Sequence, residues 1–365
     1  MANHGEPRVL DRSVSRRRGR GPTVADVAAR AGVSLMTVSR VINHLNNVQA
    51  ETRARVEHAI AELGYVPNPA ARTLAGGRQC RLALIYDNPS TAFMTELLTG
   101  CLDSAPDGNA QISVARFAPG ETIEALAERL RRSQVDGVLV PSPLGDEAEA
   151  ITALLAAGLV LARVATSRLM ASSLAIGIDD EGAAHAITSH LIALGHRRIG
   201  LIAGADRHLV SALRQQGYAR ALRDAGLPAD PGWIAKGDYS YRSGMIAAEA
   251  LLARQDRPTA IFASNDDMAA AAIAVAHRRH LDVPQDLSIC GFDDSAMART
   301  IWPELTTIRQ PVAAMAARAV ELLAAGIASG RPGAKPREGY VQLDFELVLR
   351  ASTAPPPAIV RGPHS

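Results

Sequence analysis

Residues 23 to 40 read T-V-A-D-V-A-A-R-A-G-V-S-L-M-T-V-S-R, and Leu35, Met36 and Arg40 fall outside a short stretch whose apolar spacing turns Val38 and Val41 inward. An arginine so exposed pairs bidentately with guanine O6 and N7, while leucine and methionine offer no hydrogen bonds and read shape and thymine methyl groups. The chemistry on offer is base recognition. Thr23 is placed to cap a first helix, with Asp26 in its first turn, where a carboxylate favours the positive end of the helix dipole. Val24, Val27 and Ala28 form that helix's buried stripe. A-G-V at 31–33 makes the turn, with Gly32 free to take a positive φ, and Ser34 caps the second helix. Such a helix-turn-helix presents the N-terminal residues of its second helix to the major groove.

Residues 49 to 64 read as a third amphipathic helix with Val56, Ile60 and Leu63 on one face, ending at Gly64. Gln49 is a poor cap for it. Then comes Y-V-P-N-P-A-A-R-T-L-A-G-G at 65–77, opened by two prolines and closed by two glycines, with small Ala70, Ala71 and Ala75 around one large apolar residue, Leu74. A segment this short does not hold a helix alone in water. Paired with its twin on DNA it could, wedging an apolar side chain between base pairs in the minor groove. A plain flexible linker is the alternative that composition allows.

Charge is distributed to match. Through Cys80 the chain has 12 arginines and no lysine against 6 acidic residues, a net +6; the remainder has 27 basic against 31 acidic residues, a net −4. A basic end on an acidic body favours contact with a polyanion through that end, weakening as salt rises. Arg16, Arg17, Arg18 and Arg20 lie in a tail at 1–22 that is expected to be disordered, either solvated or an auxiliary DNA-contacting arm. Cysteines at 80, 101 and 290, without CxxC spacing, fit free thiols in a reducing compartment. The N-terminus lacks the apolar core of a signal peptide and no run of ~20 apolar residues occurs, so a cytoplasmic protein without membrane contact is expected.

From Arg81 onward short apolar runs at 82–85, 112–114, 137–140, 159–162 and 176–178 alternate with helical stretches such as 122–132 and 147–156. The pattern restarts after Asp179, with candidate strands at 199–202, 233–236, 260–263 and 287–290. Such alternation means parallel sheets covered on both faces, and two lobes of this kind form a cleft beyond the C-terminal ends of their strands. Catalytic signatures are missing: the chain has no G-x-S-x-G, no H-E-x-x-H and no P-loop. His277 and His280 have no nearby ligand set and are expected to face solvent, and the pair Asp293 and Asp294 is no dyad without geometry. No metal, no cofactor and no enzymatic activity are expected.

The run from Thr23 through Leu74 resembles the headpiece and hinge of the lactose-repressor (LacI/GalR) family, in T-V-A-D-V-A, A-G-V-S, T-V-S-R-V-I-N, T-R-A-R-V and L-G-Y-V-P-N-P-A-A-R-T-L-A. The resemblance implies an all-α helix-turn-helix headpiece plus an α/β, two-lobed, periplasmic-binding-protein-like effector domain with parallel sheets. It places the headpiece at 23–66, the hinge helix and linker at 67–80 and the effector domain at 81–349, followed by a disordered tail at 350–365. Lobe one would comprise 81–178 and 310–335, lobe two 179–309 and 338–349, joined by three crossings.

On the same basis Thr23, Ser34, Leu35, Met36, Thr37, Ser39, Arg40, Asn43, Ala71, Leu74 and Ala75 would contact DNA, with Leu74 the intercalating hinge residue. S-A-L-R-Q-Q-G-Y at 211–218 looks like the family's S-x-x-R-x-x-G-[FY] segment, making Arg214 a ligand residue able to grip hydroxyls or a carboxylate with two parallel bonds. Tyr239 would form a stacking wall, Asn265 and Asp293 would bond ligand hydroxyls, and Phe93, in the run D-N-P-S-T-A-F at 87–93, would flank the ligand. Many sugar-binding members carry an Asp or other polar residue where this chain has Arg163, which suits either an acidic ligand or a surface salt bridge. The implied partners are a pseudo-palindromic double-stranded operator, a sugar or sugar-derived effector and a second copy of the chain. The implied function is ligand-responsive transcriptional regulation, with repression expected, of genes for sugar or related carbon sources. A sugar-binding module or sugar-processing enzyme is the competing reading; operator binding that responds to ligand separates the two.

Overall fold

The protein, described from a computed structural model covering residues 22–42, 48–65, 80–104, 110–167, 170, 173–328 and 339–357, divides into two units at Arg78 and Gln79. The first unit contains α1 (Val24–Ala31), α2 (Leu35–Ile42) and α3 (Ala50–Leu63). Thr23 and Asp26 close a reciprocal capping box, and Gly32 ends α1 at φ 64°. The Thr37 amide donates to Ser34 Oγ at 3.2 Å, starting α2 as its sequence requires. Val27, Val38, Val41 and Val56 meet in one small core. From α3, Arg55 donates to the carbonyls of Ala31 and Gly32, fixing the turn between the two helices. Gln49 makes no side-chain cap, whereas Gly64 closes α3 at φ 59°. The hinge segment and Asn43 lie outside the described residues, as does the basic tail apart from Pro22.

The second unit alternates strand and helix over most of its length. β1 (Cys80–Tyr86), α4 (Thr91–Asp103), β2 (Ala110–Arg116), α5 (Ile123–Arg132), β3 (Gly137–Pro141), α6 (Ala148–Ala156), β4 (Val160–Val164) and β5 (Leu174–Gly177) build lobe one. Lobe two follows with α7 (Asp180–Ala193), β6 (Ile199–Ala203), α8 (Leu209–Asp224), β7 (Ile234–Lys236), α9 (Tyr241–Leu252), β8 (Ala260–Ala263), α10 (Asp266–Arg278), β9 (Ser288–Cys290), α11 (Ala296–Thr300) and β10 (Thr307–Arg309). The chain then returns through α12 (Val312–Ala328) and β11 (Gly339–Gln342) before ending on β12 (Glu346–Val348).

The lobe-one sheet has the order β11-β5-β4-β3-β1-β2 and the lobe-two sheet β7-β6-β8-β9, each parallel throughout. β3 and β6 are buried at all five positions, as strands covered by helices on both faces must be. α12 packs on α4 so closely that a Cβ on Gly100 would lie 2.2 Å from the Ala313 carbonyl oxygen.

Two sequence-based boundaries need correction. The segment from 338 does not go directly to lobe two: β11 adds to the lobe-one sheet beside β5, with Tyr340 opposite Ala175 and its hydroxyl donating to the Ile178 carbonyl at 2.9 Å. The crossing comes later, before β12 pairs antiparallel with β10. A four-residue strand carries no pattern that says which sheet will take it. Nor is the segment from 350 a disordered tail over its described part. Ser352 is fully buried, accepting from the Thr306 amide at 2.8 Å and donating to the Ile289 carbonyl at 2.6 Å. Its flanking prolines lower hydropathy without preventing an extended segment from docking.

Candidate functional site

Two surfaces have the makings of recognition sites, one on each unit. On α2, Leu35 and Met36 are 55% and 65% exposed although apolar, and Arg40 is exposed beside them. Val38 and Val41 hold the opposite face in the core, so the outward trio is set by packing rather than by contacts of its own. Thr23 and Ser34 are exposed and serve as caps, and Thr37 and Ser39 lie half-buried along the same edge. The arrangement matches a recognition helix able to enter a major groove.

The second site is a cleft with about 370 Å³ of empty space, part of it open to solvent, between the lobes of the effector unit. Its lining comes from the C-terminal ends of strands: Asn88, Ser90 and Phe93 follow β1, Ser142 follows β3 and Ala165 follows β4. Across from them His208 and Val210 follow β6, Arg214 projects from α8, and Tyr239, Asn265, Asp293 and Gln310 follow β7, β8, β9 and β10. Within each sheet the direction of winding reverses between two of these strands, β1 and β3 in one, β6 and β8 in the other. Open parallel sheets bind ligands at such switch points. Ala165, Tyr239 and Asp293 hold φ at 55°, 70° and 117°, a backbone strain that L residues tolerate only where the surroundings enforce it. All three line the cleft. A Cβ on Gly204 would lie 2.1 Å from the Tyr239 ring, so glycine there makes room for the aromatic wall.

Charge in the cleft is tightly committed. Arg214 is 4% exposed; its Nε donates to Asp180 Oδ1 at 2.9 Å, a second guanidinium nitrogen lies 2.9 Å from the same oxygen, and Nη1 donates to the Ser264 carbonyl at 2.6 Å. The guanidinium carbon sits 3.6 Å above the Phe292 ring centre. Burial pushes the Asp180 carboxyl up and Arg214 pulls it back down. Asp293 accepts from Gln310 Nε2 at 2.5 Å, and its burial raises its carboxyl well above the usual range against the pull of Arg214. Burial also pushes the Tyr239 hydroxyl up to about 12.

Arg214, Tyr239, Asn265, Asp293 and Phe93 are thus brought together at one cleft. Asn265, expected to bond a ligand hydroxyl, is engaged within the fold: its Oδ1 accepts from the Met268 amide at 3.0 Å, capping α10, and its Nδ2 donates to the Tyr239 carbonyl at 2.9 Å. Arg163 is neither a cleft cation nor a surface group. It is fully buried, donating to Ser173 Oγ at 3.0 Å and to the Gly145 carbonyl at 3.2 Å. His208, Gln310 and Ser142 join the lining without having been singled out, though each follows a strand end and that position was the available signal. Asp180, the partner of Arg214, opens the first helix after the lobe crossing, where its position in sequence gave no hint of the pairing.

A helix-turn-helix unit joined to a two-lobed cleft domain defines a DNA-binding regulator with an effector-binding body. The periplasmic binding protein-like domain model matches residues 188–353, and the model for bacterial regulatory proteins of the lacI family matches residues 23–68. Catabolite control protein A of Priestia megaterium is 36% identical over 303 residues, 82% of this chain and 91% of that protein. The HTH-type transcriptional repressor CytR of Escherichia coli (strain K12) is 33% identical over 333 residues, 91% of this chain and 96% of the relative. Among solved structures, the complex of the transcriptional regulator CelR with cellobiose superposes with a TM-score of 0.68 at 32% identity, covering 91% of this chain and 99% of CelR. The lac repressor dimer bound to operator and the anti-inducer ONPF gives a TM-score of 0.69 at 28% identity, with 92% and 100% coverage. The chain belongs to the LacI family and is a DNA-binding transcriptional regulator. No helix among its described residues is long and apolar enough to cross a membrane.

Proposed function

We propose that this regulator is a repressor controlled by a small, hydroxyl-rich effector, a sugar or sugar derivative, and that it controls genes for such carbon sources. A homodimer reads a pseudo-palindromic operator with Leu35, Met36 and Arg40 of each copy in successive major grooves, Leu74 wedged at the operator centre, and Thr23, Ser34, Thr37, Ser39, Asn43, Ala71 and Ala75 around them. It works in the cytoplasm, where the DNA is, and catalyses no reaction. Ligand bound among Phe93, Arg214, Tyr239, Asn265 and Asp293 favours one spacing of the lobes and so biases DNA affinity.

The observation that carries this reading is the cleft itself, where an aromatic wall and buried hydrogen-bonding groups converge from strand ends of both lobes. The relatives named as repressors, and the solved complexes with cellobiose and with operator DNA, support it. The test begins with selection from random duplexes using the full chain. Enrichment of a two-fold symmetric site, lost with Arg40→Ala, is expected; enrichment of no sequence would overturn the repressor reading.

A further inference from the structure

We infer that His208 sets the charge preference of the cleft: its Nε2 is kept for a hydroxyl of an uncharged ligand, so that neutral sugars and nucleosides enter and sugar acids and sugar phosphates do not. This rests on the effector reading above and deepens it.

His208 occupies the N-cap of α8 with an extended backbone, φ −91° and ψ 118°, yet its side chain makes no cap bond. Ser, Thr, Asp or Asn there would satisfy the helix, and the chain forgoes that local gain. Departures from local rules of this kind concentrate where function demands another use of the side chain. The ring is 2% exposed, lines the cleft and leaves Nε2 buried with no hydrogen-bond partner among the described residues. Buried polar atoms in folded proteins are overwhelmingly bonded, so an orphan on a residue that lines a cavity points to a group that arrives with the ligand. Packing against Tyr239, ring centres 4.8 Å apart at 56°, holds the imidazole beside the cleft's aromatic residue.

The surroundings hold the imidazole neutral. Burial is the larger cause and the charges of Arg207 and Arg214 add to it, lowering its pKa to about 4. A neutral imidazole nitrogen donates to or accepts from a hydroxyl equally well. The remaining charges are unsuited to an anion. Arg214 supplies the lining's guanidinium, but Asp180, the Ser264 carbonyl and the Phe292 ring already engage it. Arg207 lies outside the lining and faces Asp87 at 3.5 Å. An entering carboxylate or phosphate would give up part of its hydration and find no uncommitted cation in the lining to offset that loss.

The test is calorimetric titration of the full-length protein with matched series: neutral aldoses, disaccharides and nucleosides, the corresponding uronic acids, and the 6-phosphates or nucleotides. Within the series that binds, the neutral member is expected to bind at least tenfold tighter than its charged counterparts. His208→Gln, which keeps a neutral hydrogen-bonding group, is expected to stay within a few-fold of the parent, His208→Phe to lose at least tenfold, and His208→Arg to move the preference toward the charged members. A charged ligand that binds the parent as tightly as its neutral counterpart, or a His208→Phe variant that binds the neutral ligand undiminished, would overturn the inference and leave the effector reading standing. Binding by no member of any series would overturn both.

Discussion

The two readers in this chain are built in opposite ways. In the headpiece, Leu35, Met36 and Arg40 stand on the surface of an eight-residue helix and owe their placement to a small valine-rich core behind them. In the cleft, Arg214, Tyr239 and Asp293 are all buried, and each is also part of the fold's own bonding. A duplex is a large rigid partner that can be met by exposed side chains, whereas a small ligand has to be surrounded and desolvated. The consequence is a difference in what mutation does. Headpiece readers can be changed at little cost to folding; cleft readers cannot.

The sharpest break of that contrast is Arg214→Ala. It strands Asp180 as an unpaired buried carboxylate, and removal of one partner from such a pair costs about 3–5 kcal/mol. Denaturant unfolding of the effector unit measures it, and a loss below ~1 kcal/mol, the scale of an exposed pair, would show that the cleft is not built as described. Arg40→Ala is the counterpart, expected to weaken operator binding by ~1–3 kcal/mol and relax the preference at one guanine per half-site. Its unfolding free energy should stay within about 0.5 kcal/mol of the parent's. Loss of stability equal to the loss of affinity would erase the distinction between the two sites.

A smaller effect separates them by pH. The His208 pKa falls from its ordinary 6.5 to about 4 in the folded chain. Between those values the unfolded chain takes up a proton that the native state refuses, so the native state loses stability as pH falls through the window. One such group gives a slope of up to about 1.4 kcal/mol per pH unit. His190 and His196, also lowered by burial, act in the same direction, so His208→Gln should reduce the slope without abolishing it. An unchanged slope in unfolding experiments at pH 4 to 6.5 would place His208 outside the buried lining. The smallest effect returns to the headpiece: Thr23→Ala removes the capping box of α1 and should cost about 1 kcal/mol, read as faster amide exchange in that helix with the cleft unaffected.

Legibility in the sequence followed the same division. The headpiece was readable almost residue by residue, because caps at Thr23 and Ser34, the glycines at 32 and 64 and the valine spacing are local signals. The parallel strands were readable from their apolar runs, to within a few residues at each end. What could not be read was long-range. Nothing near Arg214 in the chain announces Asp180, 34 positions away, and nothing near β11 says that it will pair with β5. Arg163 shows the limit most plainly: a charged residue after a strand looks like a site or a surface, and the fold buries it against Ser173 and a carbonyl instead. His208 is not legible either, because an orphaned ring nitrogen is a property of packing and has no sequence signature.

The coupling between the two readers is tested most directly by operator affinity of the full chain, measured by fluorescence anisotropy at fixed salt across a titration with a ligand that binds the cleft. The parent is expected to shift its operator affinity by roughly 5–150-fold as the cleft fills, in whichever direction the ligand acts. Arg214→Lys, keeping the charge but losing the fork, should bind operator within a few-fold of the parent and show no shift at the parent's ligand concentration. An operator affinity in the parent that does not move while the cleft saturates, or a variant that responds as the parent does, would contradict the link between cleft and headpiece.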